Sequence, residues 1–135
     1  MPEGPEVKYL VNWLDKLVKN KKLVNIEIIS GRYKKHGSPI GWNKLKAILP
    51  IKIKRVQCYG KFIWWEFEGT ELTLWNTLGM EGWWEINQNK HNHIRFEIND
   101  KLLYFNDVRN FGTLKVCTKT ELNKKVSKMG PDILG

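Results

Sequence analysis

The opening residues Met1-Pro2-Glu3-Gly4-Pro5-Glu6 set a proline beside the initiator methionine, with one carboxylate directly after it and another a helical turn further on. A small residue at position 2 permits removal of Met1, which would leave Pro2 as a secondary amine at the chain terminus. An α-amino group titrates at roughly pH 8, so a useful fraction is neutral at physiological pH and can attack a carbonyl carbon. Addition to an aldehyde gives an iminium ion, whose fixed positive charge acts as an electron sink and acidifies the neighbouring carbon. A sugar closed by its glycosidic bond offers no free aldehyde, so the amine needs an acid beside it. Glu3 could protonate the ring oxygen and later shuttle protons during elimination, and Glu6 could hold the amine or share the proton traffic. The same residues also make an ordinary helix start with acidic caps, since Pro suits the first turn and a carboxylate complements the positive end of the helix dipole.

The elements that must carry these groups follow from periodicity. Over residues 5–19, Val7, Leu10, Val11, Leu14, Leu17 and Val18 recur at helical spacing and predict an amphipathic helix ending near Asn20. Residues 23–29 read as a strand and residues 30–41 as a basic loop punctuated by Gly and Pro. Trp42, Leu45, Ile48 and Leu49 predict a short helix before Pro50. Strand-like runs follow at 51–58, 62–67, 71–78, 82–86, 93–98, 101–106 and 112–117, with Asn99-Asp100 as a tight hairpin turn. A short polar helix is expected over 120–128. Many short strands after one long helix predict a mainly β domain with α: a two-layer β-sandwich flanked by an N-terminal helix and one or two short helices.

The chain has 135 residues, enough for one domain with a core of its own. Lys and Arg number 23 against 14 Asp and Glu, a formal charge of +9 that favours a polyanionic partner such as nucleic acid. Seven Trp are too many for such a domain to expose, so some belong to the core. Cys58 and Cys117 lie far apart, which excludes a disulfide framework and a self-contained four-cysteine zinc site, and both are expected as buried free thiols. The N-terminus lacks a basic flank and apolar run, and no apolar stretch approaches the ~20 residues that span a bilayer. The expectation is an intracellular protein without a membrane partner, nuclear or cytoplasmic, wherever its nucleic acid is.

The motifs then fall into a pattern. Met1–Val7, MPEGPEV, resembles the opening of the Fpg/Nei family of DNA glycosylase/AP lyases. Tyr59-Gly60-Lys61-Phe62 resembles that family's Gly-Lys hairpin, Leu78-Gly79-Met80-Glu81-Gly82 its Leu-Gly-Met-x-Gly turn, and His91-Asn92-His93 its His-x-His lead into the next strand. Asp107-Val108-Arg109-Asn110-Phe111-Gly112 resembles its Asp-x-Arg-x-Phe-Gly loop, and Met129-Gly130-Pro131-Asp132 the Gly-Pro-Asp that closes its N-terminal domain. Each motif alone is weakly specific. Their common order along the whole chain is not.

The resemblance implies base-excision repair of oxidised bases in double-stranded DNA, followed by strand cleavage at the abasic site through β,δ-elimination. It assigns Pro2 as Schiff-base nucleophile, Glu3 as general acid/base, Glu6 as a supporting carboxylate and Lys61 as a catalytic-site contact to a DNA phosphate beside the lesion. Met80, Arg109 and Phe111 match the trio that fills the gap left by an extruded nucleotide. Extrusion costs a few kcal/mol of stacking and pairing, which an apolar wedge and a guanidinium bonded to the widowed base can offset. Apart from the resemblance, Lys61 reads as a solvated turn residue, Met80 and Phe111 as core and Arg109 as surface charge. Gly4 points to the Nei branch and the complete trio to the Fpg branch; Gly4 is given slightly more weight.

Members of the family continue into a helix–two-turn–helix region and usually a zinc finger. This chain is expected to be the N-terminal catalytic domain alone, with no cofactor of its own and any zinc confined to that second half. Weak DNA binding and poor or absent glycosylase activity are therefore expected of the domain by itself, with dimers able to form through the face that a second domain would cover. Two other readings stay open. One is a noncatalytic nucleic-acid-binding module that keeps the scaffold. The other is an interaction domain that uses Trp64/Trp65 and Trp83/Trp84 as contact faces.

Overall fold

Helix α1 (Gly4–Val18) buries Val7, Leu10, Val11, Leu14 and Val18, the apolar stripe read from the sequence. The structure is a computed structural model that describes residues 3–130. After α1 come β1 (Lys22–Ile28), the four-residue helix α2 (Arg32–Lys35), α3 (Trp42–Ala47), β2 (Ile51–Tyr59), β3 (Phe62–Phe67) and β4 (Leu72–Thr77). The chain continues through β5 (Trp83–Glu85), β6 (Asn92–Ile98), β7 (Lys101–Asn106), β8 (Thr113–Thr118) and α4 (Lys119–Ser127). No helix among the described residues is long and apolar enough to cross a membrane.

The strands pair antiparallel in the order β5-β7-β6-β1-β2-β3-β4-β8. Strands β1 and β2 share only the pairs Lys22↔Lys52 and Leu23↔Ile51, so the ribbon folds at that corner into two four-stranded layers. Trp65 of β3 meets Trp84 of β5 at 5.4 Å and Phe96 of β6 at 5.3 Å between ring centroids, which places the inner faces of the two layers against each other. The predicted two-layer β-sandwich is the observed one. Strand β6 alternates as the pleat requires, with Asn92, Ile94, Phe96 and Ile98 turned inward.

Strand β3 breaks that alternation because both its faces are covered. Ile63, Trp65 and Phe67 enter the main core, while Phe62 and Trp64 point outward and pack with Leu122 of α4. Helix α4 starts where Thr118 Oγ1 accepts the Glu121 N–H at 3.2 Å and Glu121 Oε1 accepts the Thr118 N–H at 3.0 Å, a reciprocal cap.

Several expectations need correction. The segment expected as a loop contains α2, so three short helices accompany α1 rather than one or two. The apolar ring of Tyr33 stabilises that turn, its hydroxyl accepting the Leu114 N–H at 2.9 Å. Trp64, Trp65 and Trp84 are buried and Trp83 partly so, which removes them as contact faces: strand alternation and α4 turn them into the core. Of the two cysteines only Cys117 is fully buried, and Cys58 is half-buried.

Candidate active site

The first described residue, Glu3, sits at the mouth of α1. Its carbonyl accepts the Val7 N–H at 2.9 Å, and its own N–H donates to Glu6 Oε1 at 3.3 Å. Glu6 therefore reaches back to the residue before the helix, which ties Glu3 to the first turn. Pro2 lies outside the described residues.

The Glu3 carboxylate meets Lys61 Nζ at 3.4 Å. Lys61 occupies the tip of the β2–β3 hairpin, where Tyr59 pairs with Phe62 and Gly60 adopts a left-handed φ of +60°. Both side chains are substantially exposed, so the pair contributes little to stability. Its consequence is positional: an acid and an ammonium converge at the mouth of α1, accessible to a ligand.

A cleft of about 420 Å³ is lined by Lys61, Val7, Phe62, Thr77, Leu78 and Gly79, together with Lys125 of α4 and Met129 just beyond that helix. It leads from the carboxylate–ammonium pair to the turn that carries Met80. In that turn Gly82 N–H donates to the Leu78 carbonyl at 2.7 Å, and Gly79 has φ +62°. A Cβ on Gly79 would lie 2.7 Å from the backbone of both Phe111 and Gly112. The absence of a side chain at Gly79 is what lets the Met80 turn and the 107–112 loop lie against each other.

The 107–112 loop is built around a buried carboxylate. Asp107 Oδ1 accepts the Asn110 N–H at 2.9 Å and Oδ2 accepts the Gly112 N–H at 2.7 Å, while Asn110 takes φ +61°. His93 braces the loop from behind: its Nε2 lies 2.8 Å from the Asp107 carbonyl oxygen and its Nδ1 lies 2.8 Å from Ser30 Oγ. On this support Arg109 and Phe111 face solvent. Phe111 is 56% and Met80 44% exposed, which excludes the core alternative for both. Arg109 Nε stands 3.7 Å from Glu81 Oε1, a partner the sequence reading passed over.

The structure thus brings Glu3, Glu6 and Lys61 to one end of a cleft, and Met80, Arg109 and Phe111 to turns at its other end. The sequence reading also missed Lys125 and Met129 as cleft residues; the Thr118-x-x-Glu121 cap was the signal that fixes where α4 begins. Hydrogen bonds from Thr118, the backbone N–H foremost, hold the Glu121 carboxyl below its usual range. Burial pushes the Cys117 thiol up, which keeps it protonated and unreactive. No cluster of three metal-ligating side chains occurs among the described residues.

Comparison with known proteins agrees with this geometry. Residues 1–114 match the family described as Formamidopyrimidine-DNA glycosylase N-terminal domain. The formamidopyrimidine-DNA glycosylase of Ligilactobacillus salivarius is 32% identical over 98% of this chain and 49% of its own. That of the Wolbachia of Brugia malayi is 31% identical over 90% and 45%. Among solved structures, Lactococcus lactis Fpg with DNA containing N7-benzyl-Fapy-dG superposes with a TM-score of 0.80 at 28% identity, covering 94% of this chain and 48% of that one. The same protein bound non-covalently to DNA with an AP site gives 0.79 at 27%, covering 93% and 48%. The chain spans about half the length of the relatives it matches. These relatives carry the Fpg name, the branch to which the Met80–Arg109–Phe111 trio points and Gly4 does not.

Proposed function

The chain belongs to the Fpg/Nei family of DNA glycosylases, by its formamidopyrimidine-DNA glycosylase N-terminal domain, and from that premise we propose that it carries the nucleophilic half of a bifunctional DNA glycosylase/AP lyase acting on oxidised bases. The observation that carries the reading is the 3.4 Å approach of Glu3 to Lys61 at the residue bonded to Pro2, at the head of an open cleft. The DNA ligands of the solved relatives, an abasic site and a modified formamidopyrimidine among them, support damaged duplex DNA as the partner class.

The chemistry proceeds as follows. The neutral Pro2 nitrogen attacks C1′ of the damaged nucleotide, forming a C–N bond as the glycosidic bond breaks and the base leaves with the bonding pair and a proton. Glu3 delivers a proton to the ring oxygen, the sugar opens, and the nitrogen becomes part of an iminium. Loss of a C2′ proton then expels the 3′ phosphate, and a second elimination expels the 5′ phosphate. Water adds to the remaining iminium and hydrolyses it, freeing the Pro2 amine and the sugar fragment as an aldehyde. Glu6 holds the chain start through the Glu3 amide, so it orients the amine rather than reacting. Lys61 holds a phosphate flanking the lesion, which fixes the register of the strand. Met80, Arg109 and Phe111 occupy the gap in the duplex, the two apolar side chains as wedge and the guanidinium as hydrogen-bond donor to the unpaired base.

Borohydride reduction in the presence of abasic-site duplex tests this. A covalent protein–DNA adduct is expected. It should vanish when Met1 is retained and should persist with a free Pro2. An adduct indifferent to retention of Met1 would refute Pro2 as the nucleophile. Equal, steeply salt-dependent binding to damaged and undamaged duplex without any adduct would instead identify a noncatalytic binding module.

A further inference from the structure

We propose that Lys125 is a second strand-positioning residue, and that it and Lys61 form a two-lysine clamp for consecutive phosphodiesters of one DNA strand across the apolar cleft floor. The inference rests on the reading of this cleft as a DNA site, and it adds a residue that no sequence motif of the chain marks. Lys61 and Lys125 both line the cleft, whose remaining lining is apolar apart from Thr77: Val7, Phe62, Leu78, Gly79 and Met129. An apolar floor with cations at its rim fits the face of a deoxyribose with charged phosphates on either side.

Lys125 is held in place without being neutralised. Its Nζ stands 5.0 Å from the Phe62 ring centroid and 5.6 Å from that of Trp75, within the range of cation–π attraction. The two rings meet edge to face at 5.2 Å and form a rigid seat. Glu121, one helical turn earlier, is the carboxylate that would ordinarily pair with Lys125. It is instead turned to the Thr118 N–H and hydroxyl, at 3.0 and 3.1 Å. Lys125 has no carboxylate partner among the described residues. An ammonium ordered by aromatic rings and left uncompensated is suited to an anion that arrives with the ligand.

Equilibrium binding of a fluorescent abasic-analogue duplex, measured by anisotropy across a salt series, provides the test. Each phosphate contact contributes about 0.9 to the slope of log K against log salt concentration. Lys125→Met keeps the aliphatic stem over the rings but removes the charge, and should lower the slope by about 0.9. Lys125→Arg should restore it. Lys101→Met, at the start of β7 and outside the cleft lining, should leave the slope unchanged. A general loss of charge or a merely structural role would not produce this pattern, provided the thermal midpoints of the variants match. An unchanged slope in Lys125→Met, an equal drop in Lys101→Met, or no salt-dependent binding by the parent each overturns the clamp. Failure of borohydride trapping with the slope pattern intact would overturn the Pro2 chemistry and leave the clamp standing.

Discussion

Replacing Asp107 tests whether one buried carboxylate shapes the surface that carries Arg109 and Phe111. Asp107 is 1% exposed and accepts two backbone N–H groups, from Asn110 and Gly112. Hydrogen bonds to a charged acceptor contribute about 1.5–3 kcal/mol each, and a buried N–H left unpaired costs about 1–3 kcal/mol. In Asp107→Ala the buried Gly112 N–H loses its partner outright, whereas the Asn110 N–H, in a part-buried bond, can turn to water. Removing a carboxylate that has no cationic partner among the described residues returns some of its desolvation penalty. The net destabilisation should be about 2–3 kcal/mol, a fall in thermal midpoint on the order of 6–10 °C for a chain of this length. Asp107→Asn preserves volume but turns an NH₂ toward one of the two donors, and should cost a similar amount. Calorimetry gives the midpoint, and hydrogen exchange followed by NMR gives the site: the Gly112 amide, protected in the parent, should exchange at least tenfold faster in both variants. Unchanged Gly112 protection in Asp107→Asn would refute the loop-anchor argument, whatever the midpoint did.

Three further outcomes are expected. Gly79→Ala places a Cβ 2.7 Å from the Phe111 and Gly112 backbone at a left-handed φ, so it should destabilise by more than the roughly 1–2 kcal/mol of the backbone term alone and shift the Arg109–Gly112 amide resonances; a midpoint within 2 °C of the parent would count against the close approach. Trp84 Nε1 donates to buried Asn76 Oδ1 at 2.8 Å, whereas Trp65 Nε1 is buried without a partner, so Trp84→Phe should cost about 1–3 kcal/mol more than Trp65→Phe in denaturant unfolding; equal costs would contradict it. Thr118→Ala should cost about 1 kcal/mol through the lost cap of α4. Because Thr118 holds the Glu121 carboxyl low, the stabilisation from Glu121 is complete above the unfolded carboxyl value, roughly 4.3, and is lost as pH falls through the lowered folded value. Thr118→Ala keeps the backbone N–H and removes the hydroxyl, so NMR titration should find the Glu121 midpoint rising part of the way, and an unmoved midpoint would reject the hydroxyl's bond to Glu121.

Much of this protein was legible before any fold was known, because helical and strand periodicities are local properties. The stripe of α1, the alternation of β6 and the Asn99-Asp100 turn each depend on neighbours within a few residues. The ordered motifs carried the candidate site residues in the same way, each within a short segment. Four-residue α2 was not legible: it has no apolar face long enough to produce a period, and its stability comes from Tyr33 bonding to distant Leu114. The continuous run of β3 was read as a strand, but only the tertiary structure explains it, with one face in the sandwich and the other under α4.

The amino-acid order by itself determined which groups are available: a proline that becomes a terminal amine once Met1 is removed, acids at Glu3 and Glu6, and cations and apolar side chains on turns. What it could not determine is proximity. That Glu3 meets Lys61, that Gly79 lets the Met80 turn lie on the Phe111 loop, and that Lys125 shares a cleft with Lys61 all depend on strand register and on the fold of the ribbon at β1–β2. Those contacts join segments far apart in the chain, and they form only when burial of the aromatic core commits the two layers to one packing.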